Sequence, residues 1–277
     1  VMGTDIPDVQ AKLAQRLKVN GPSLETAELT TNKYLMKKKL LESNIKVPWF
    51  KLLRNVEDFK KTLHESYLDK FIIKPIDRSG ARGVFLINKI KDKNLDTLFF
   101  LSQKESFSGY VQIEEYIEGP QISTESLIIN KKAYTPGFVD RNYEMLNTYY
   151  PYVIENGGNH PSVISKIKKN EILDLIEKSA SALGINDGVA KGDIVISNKT
   201  GKPYLIEMAS RLSGGDFSES LIPIGCGVDI VKFAIKLFSR EFIDVNELKD
   251  KHTKYVANRY FFGEEGIVEK IVGVEIL

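Results

Sequence analysis

The chain is 277 residues long, 42% hydrophobic and 27% charged, an ordinary globular composition with length enough for a large core and more than one lobe. Its 39 basic and 37 acidic side chains leave a net charge of +2, which gives no overall pull toward nucleic acid or a membrane surface. A single cysteine, Cys226, excludes an internal disulfide and a cysteine-based metal cluster, and no apolar run approaches the ~20 residues that cross a bilayer.

The sequence opens V-M-G-T-D, like the end of a buried strand, so the numbering is expected to begin inside a longer protein, with residues 1–22 closing an N-terminal domain. Val9, Leu13 and Leu17 recur at helical spacing over residues 8–17. A turn at Gly21-Pro22 leads to S-L-E-T-A-E-L, where Ser23 is placed to cap a helix. A further helix is expected from Leu29 to Ser43, within a helical linker at 23–47. Its lysine cluster reads as a solvated face, with Lys33 set apart near the helix start.

Residues 48–117 read as a compact α/β unit. A helix at 56–67 precedes the short strand F-I-I-K (71–74), the turn P-I-D-R-S-G-A-R-G and the strand V-F-L-I (84–87), a hairpin pattern. A helix at 94–103 then leads to the strand Y-V-Q-I-E-E-Y-I at 110–117. A larger unit is expected at 118–240, with antiparallel strands at 122–129 and 133–139, an irregular aromatic-rich stretch at 143–160 and a helix at 171–183. Two strands joined by a turn at 198–201 follow, which lays Asp193 and Glu207 on adjacent strands. A helix at 228–238 and a strand-rich tail from Tyr255 close a C-terminal element at 241–277.

Four stretches carry chemistry. In the hairpin turn, Ser79, Gly80, Arg82 and Gly83 follow Lys74; glycines let backbone N–H groups approach an anion, and Ser and Arg add donors. The turn is neither a Walker loop nor a dinucleotide fingerprint, and by itself it reads first as a plain hairpin turn. The stretch I-E-E-Y-I-E-G-P at 113–120 can offer backbone groups to a flat heterocycle or simply join two lobes. Asp193 and Glu207, hard oxygen donors with no His or Cys near, favour Mg²⁺ or Mn²⁺ over zinc. In L-I-E-M-A-S-R-L-S-G-G-D (205–216), Glu207 precedes Arg211 by four residues. An acid and a cation at a strand end either pair with each other or serve a metal and a phosphate. Three scattered histidines (His64, His160, His252) make no zinc site.

The order of these features resembles the ATP-grasp superfamily over roughly residues 1–240. T-N-K-Y-L-M-K-K-K-L, G-V-A-K-G-D-I-V-I and L-I-E-M-A-S-R-L-S-G-G are most similar to its carbamoyl-phosphate-synthase-like and L-amino-acid-ligase-like branch. The tail V-A-N-R-Y-F-F-G-E-E-G-I-V is similar to that branch's small C-terminal domain. The resemblance implies an α/β (α+β) fold in which two lobes with antiparallel sheets clamp ATP. It also implies that Lys33 and Lys74 contact the nucleotide phosphates under a lid at Ser79 to Gly83. Glu114 with the backbone of Glu115, Tyr116 and Ile117 would hold adenine, and Gln121 would lie near the ribose. Asp193 and Glu207 would bind Mg²⁺, and Arg211 would stabilise a phosphorylated intermediate. Ala209 stands where many members have a further metal-ligating asparagine, and Gln121 where glutamate is frequent.

The expected reaction is ADP-forming ligation of a carboxylate to an amine through an acyl phosphate, the carboxylate being an amino acid or similar small acid. Two alternatives are bicarbonate phosphorylation, as in carboxylases, and a non-catalytic nucleotide-binding module of a larger assembly. Arg141, Glu155 and Lys191 are candidates to line the substrate site, together with Asp140, Asn142 and the loop to His160. Ser213, Gly214 and Gly215 offer backbone N–H groups to a substrate carboxylate or form a tight turn. Small-molecule partners, a cytoplasmic setting and a homodimer fit this reading; nucleic acid and membrane do not.

Overall fold

The computed structural model describes residues 6–263 and 265–273; the strand end expected at residues 1–4 lies outside them. Three helices come first: α1 (Pro7–Leu17), α2 (Leu24–Leu29) and α3 (Lys33–Glu42). Helix α1 forms as its periodicity predicts but buries a different face, Ala11 and Ala14, while Val9, Leu13 and Leu17 are exposed. Gly21 comes so close that a Cβ there would lie 2.5 Å from the Ala14 Cβ, a contact that only small side chains allow. Ser23 caps α2, its hydroxyl accepting the Thr26 N–H at 3.0 Å. The continuous helix expected from residue 29 is broken at 30–32. The Asn32 side chain accepts the amides of Tyr34 and Leu35, both at 3.1 Å, and restarts the chain as α3.

The first sheet contains β1 (Phe50–Leu53), β2 (Lys70–Pro75), β3 (Phe85–Asn88) and β4 (Val111–Glu115), ordered β1-β4-β2-β3 and antiparallel throughout. The hairpin expected at 71–87 is the β2–β3 pair. Helices α4 (Val56–Glu65) and α5 (Leu95–Glu105) accompany it. Their Phe59 and Phe99 rings stack at 5.6 Å, in a core shared with Phe71, Ile73, Ile87 and Ile113. The Lys33 N–H donates to the Ile76 carbonyl at 2.7 Å, which plants the start of α3 beside the end of β2.

The second sheet contains β5 (Gln121–Ile129), β6 (Lys132–Arg141), β7 (Gly157–His160), β8 (Gly188–Ile196), β9 (Pro203–Ala209) and β10 (Val256–Arg259), ordered β10-β7-β6-β5-β8-β9. Helix α6 (Lys166–Ala182) starts five residues earlier than expected because the Ser165 hydroxyl accepts the Lys168 amide. Side-chain alternation sends Ile122 and Ile194 toward α6 and α3, in a core with Ile172, Ile176, Met36 and Leu40. It sends Leu127 and Val189 toward the opposite cluster, built from Ile222 of α7 (Ile222–Cys226) and Phe233 of α8 (Ile230–Phe238). The tail is less regular than expected: beyond Tyr255, β10 is the one strand among the described residues.

Antiparallel pairing sets the site. Ser123 lies opposite Asp193, and Asp193 opposite Glu207, with a bulge between Asp193 and Ile194. The three stand in a row across β5, β8 and β9.

The two sheets are joined through residues 116–120, and this joint is tight. Ile196 N–H donates to the Pro120 carbonyl and Asn198 N–H to the Glu118 carbonyl, both at 2.9 Å. Gly119 has φ 154°, and a Cβ on it would lie 1.9 Å from the Ile196 oxygen. Backbone held on both sides cannot give way. Gly119→Ala is therefore expected to destabilise the protein by about 3 kcal/mol or more. Urea unfolding would show a lower midpoint at unchanged slope, and a wild-type midpoint would refute the joint's rigidity.

Candidate active site

A cavity of about 740 Å³ lies between the two sheets. Of the residues expected to touch nucleotide, metal or substrate, Lys33, Lys74, Ser79, Gly80, Arg82, Gly83, Glu114, Glu115, Tyr116, Ile117, Gln121, Arg141, Glu155, Lys191, Asp193, Glu207, Arg211 and Gly214 all line it. Gly215 does not.

One end is lysine-rich. The Lys33 ammonium, buried at the start of α3, donates to the Arg78 carbonyl at 2.6 Å and lies 3.2 Å from Glu207 Oε1. Lys74 Nζ at the end of β2 lies 2.5 Å from Glu114 Oε1. The turn 79–83 that follows is partly exposed, with Gly80, Ala81 and Gly83 at positive φ. Glu114 is 2% exposed. Burial alone would raise its pKa, but Lys37 and Lys74 outweigh it and hold the carboxylate below its usual range. The α3 lysine cluster is therefore not a uniformly solvated face: Lys37 is fully buried against Glu114. The expected backbone donors are also fewer. The amides of Glu115 and Tyr116 donate to the Trp49 and Lys70 carbonyls at 2.8 and 3.2 Å, which leaves Ile117 to offer its amide.

The acid wall forms the other side. Asp193 Oδ1 accepts the Ser123 hydroxyl at 2.5 Å and meets Arg141 Nη1 at 3.0 Å, while Oδ2 meets Lys191 Nζ at 2.5 Å. Burial raises the Asp193 pKa, and Lys191 and Arg141 more than reverse that, so it stays ionised well below the usual carboxylate range. Glu207 is partly exposed; burial opposes its ionisation and Lys33, Lys74 and Lys191 prevail. Among the described residues no group of three or more His, Cys, Asp or Glu is arranged to hold a metal alone. Two carboxylates on adjacent strands fit the donor set of Mg²⁺, which takes one or two acids from a protein and shares phosphate oxygens.

Arg141 also pairs with Glu155, so these two expected substrate contacts engage each other. Residues 143–156 cross to the first sheet: Leu86 N–H donates to the Pro151 carbonyl at 2.8 Å, and the Phe85 and Tyr152 rings meet edge-on at 5.3 Å. Tyr143, Tyr152, Phe217 and Tyr260 join the lining, aromatic positions that no spacing in the sequence singled out. Other expected contacts are structural. Asp140 accepts the Ser162 hydroxyl and the Val163 amide at 2.5 and 2.8 Å. His160 is buried and does not line the cavity. The Gly215 carbonyl accepts from Asn258 and Tyr260 at 3.0 and 3.2 Å. Ser213 lines the cavity, but its amide is taken by Glu125 Oε1 at 3.1 Å. Glu125, 1% exposed beneath the wall, escaped notice because strand alternation alone does not show which acids a loop covers.

Comparison with known proteins bears on this geometry. The sequence model of the ATP-grasp domain family matches residues 30–215, more than half of the chain. The chain is 26% identical over 221 residues to a D-alanine–D-alanine ligase of Francisella philomiragia, covering 78% of this chain and 68% of the relative. It is 21% identical over 278 residues to an alanine–anticapsin ligase of Bacillus subtilis, covering 91% of this chain and 56% of the relative. The crystal structure of an L-amino acid ligase from Bacillus licheniformis shares the fold with a TM-score of 0.74 at 21% identity, covering 91% of this chain and 58% of that one. The chain thus spans only part of the length of these proteins.

Burial pushes the Glu125 carboxyl up to about 7, with the Ser213 hydrogen bonds and the Lys191 charge opposing. A raised acid favours the fold while protonated, so its contribution is complete below about pH 4.5 and lost as pH rises through about 7. Wild-type stability is expected to fall by roughly 3 kcal/mol from this group between about pH 5 and pH 8. Glu125→Gln keeps the acceptor for Ser213 and should flatten that slope in urea titrations. An equally steep variant would overturn the assignment.

Proposed function

The chain belongs to the ATP-grasp family, and on that premise we propose that it is an ATP-dependent, ADP-forming carboxylate–amine ligase whose carboxylate is an amino acid or small acid. One observation carries the reading: cations that include Lys33, Lys74, Lys191 and Arg211 face a single cavity between two sheets together with the cross-strand acids Asp193 and Glu207. Relatives named as ligases acting on alanine support it.

A carboxylate is a poor electrophile until one oxygen becomes a good leaving group. Its oxygen attacks the γ-phosphorus of ATP, the bond to the β–γ bridging oxygen breaks, and ADP leaves. The amine nitrogen then attacks the acyl carbon, the bond to phosphate oxygen breaks, inorganic phosphate leaves and the nitrogen gives up a proton. Such transfer needs positioning and positive charge rather than a side-chain nucleophile, which is what this cavity contains. Lys33 and Lys74 hold the polyphosphate. Arg211 and Lys191 supply charge to the phosphoryl group as it moves. The turn at 79–83 closes over the site and keeps water from the acyl phosphate. Asp193 and Glu207 would hold Mg²⁺, which screens phosphate charge when bound. Gln121 and Ile117 face the nucleoside end.

Assayed with MgATP over amino-acid pairs and bicarbonate, the protein is expected to release ADP and phosphate only when a carboxylate and an amine are both present. Release driven by bicarbonate alone would instead assign carboxy-phosphate chemistry. ATP binding with no release across the panel would sink the ligase reading in favour of a nucleotide-binding module. Glu207→Gln should lower Mg²⁺-dependent turnover by about a hundredfold or more with an unchanged circular dichroism spectrum; wild-type turnover would remove Glu207 from the metal site.

A further inference from the structure

Helix α3 presents two lysines one turn apart, and each touches both halves of the molecule. Lys33 reaches the Arg78 carbonyl beside the first sheet and the Glu207 carboxylate of the second. Lys37 does the same one turn deeper. Its ammonium donates to the Ile206 carbonyl on β9 at 2.8 Å and lies 3.4 Å from Glu114 Oε2 on β4. It is 0% exposed, among the most completely buried large side chains of the protein.

A fully buried lysine is an odd way to gain stability, because an apolar side chain of the same length fills such a site without the desolvation cost. The reason for a charge here lies in its neighbour. Glu114 Oε1 already takes the Lys74 ammonium at 2.5 Å and the Gln112 side-chain amide at 2.6 Å. Lys74 and Glu114 alone would form a neutral pair facing the cavity. With Lys37 on the second carboxylate oxygen, the cluster of two lysines and one glutamate carries a net positive charge, and Lys74 and Glu114 are its members at the cavity wall. Burial draws the Lys37 pKa down to about 8 against the pull of Glu114, so the ammonium is charged at neutral pH.

We propose that Lys37 is a positioning residue of the nucleotide site: it neutralises Glu114 from behind, leaving Lys74 its positive charge for the polyphosphate, and it ties β4 to β9. This rests on the reading of the cavity as a nucleotide site. It assigns a role to a residue that touches no substrate.

The test compares wild type, Lys37→Met, Lys37→Arg and the double variant Lys37→Met/Glu114→Gln, by calorimetric binding of MgATP and adenosine together with thermal melts and steady-state kinetics. Lys37→Met is expected to lose at least about tenfold in MgATP affinity and less than about threefold in adenosine affinity, with KM for ATP rising far more than kcat falls. Lys37→Arg, which keeps the charge, should recover most of the loss. Adding Glu114→Gln to Lys37→Met removes the uncompensated carboxylate, so it should bind MgATP at least about threefold more tightly than the single variant, and it serves as the probe if Lys37→Met does not fold. A folded Lys37→Met with wild-type MgATP affinity, equal losses for MgATP and adenosine, or a double variant no better than the single one would each overturn the proposal. Wild-type protein that binds no MgATP would overturn the nucleotide-site reading itself, which separates the two failures.

Discussion

Three carboxylates of this cleft each meet a cation at contact distance. Glu114 has Lys37 and Lys74, Asp193 has Lys191 and Arg141, and Glu207 has Lys33. Removing one partner from such a pair leaves an uncompensated buried charge, which costs several times what the pair contributes. The charges therefore hold one another in place, and they come from separated parts of the chain: α3, β2, β4, β6, β8 and β9. Cleft geometry is in this sense a consequence of charge compensation, with the apolar cores on either side supplying the stability.

Those charges could not meet without the register of the second sheet. Ser123, Asp193 and Glu207 line up because β5, β8 and β9 are antiparallel neighbours, and a slip of one residue would turn Asp193 into the α6 core and bring Ile194 to the cavity. The bulge beside Asp193 shifts the pairing register immediately past the acid. Across the same sheet, Lys191 stands opposite Ala209. An alanine there adds no polar atom to the wall.

Much of this was legible in the sequence, and the failures have physical causes. Strand alternation and turn residues placed both hairpins, and the order of lysines, glycine turn and paired acids pointed to the cavity lining. Sequence patterning could not say which lysine of the run K-K-K at 37–39 is buried. Lys37 differs from Lys38 and Lys39 only in pointing at Glu114, a residue 77 positions away. Apolar spacing likewise predicted a helix at 8–17 but chose the wrong face, because the contact with Gly21 demands alanine rather than leucine. The Ser213 amide, available on paper to a substrate, is taken by Glu125, an acid that the chain places 88 residues earlier. Local rules gave elements; long-range pairing decided which polar groups were left to act.

The stretch at 143–156 shows how that selection shapes the open side of the cleft. It belongs to the second sheet at both ends, leaving β6 and returning in β7, yet its middle pairs with the first sheet through Leu86 and Phe85. Tyr143 and Tyr152 therefore face the cavity from a segment anchored on both sides, and Tyr150 adds a bond from its hydroxyl to Asp92 at 2.5 Å. Relative motion of the two sheets must strain or release this segment as well as the joint at Gly119. The lysine end, by contrast, is spanned by side chains of a single rigid helix. The cleft is thus braced by a helix at its lysine end and by a backbone segment at its aromatic end. The turn at 79–83, with Gly80, Ala81 and Gly83 at positive φ, lines the cleft between these two braces.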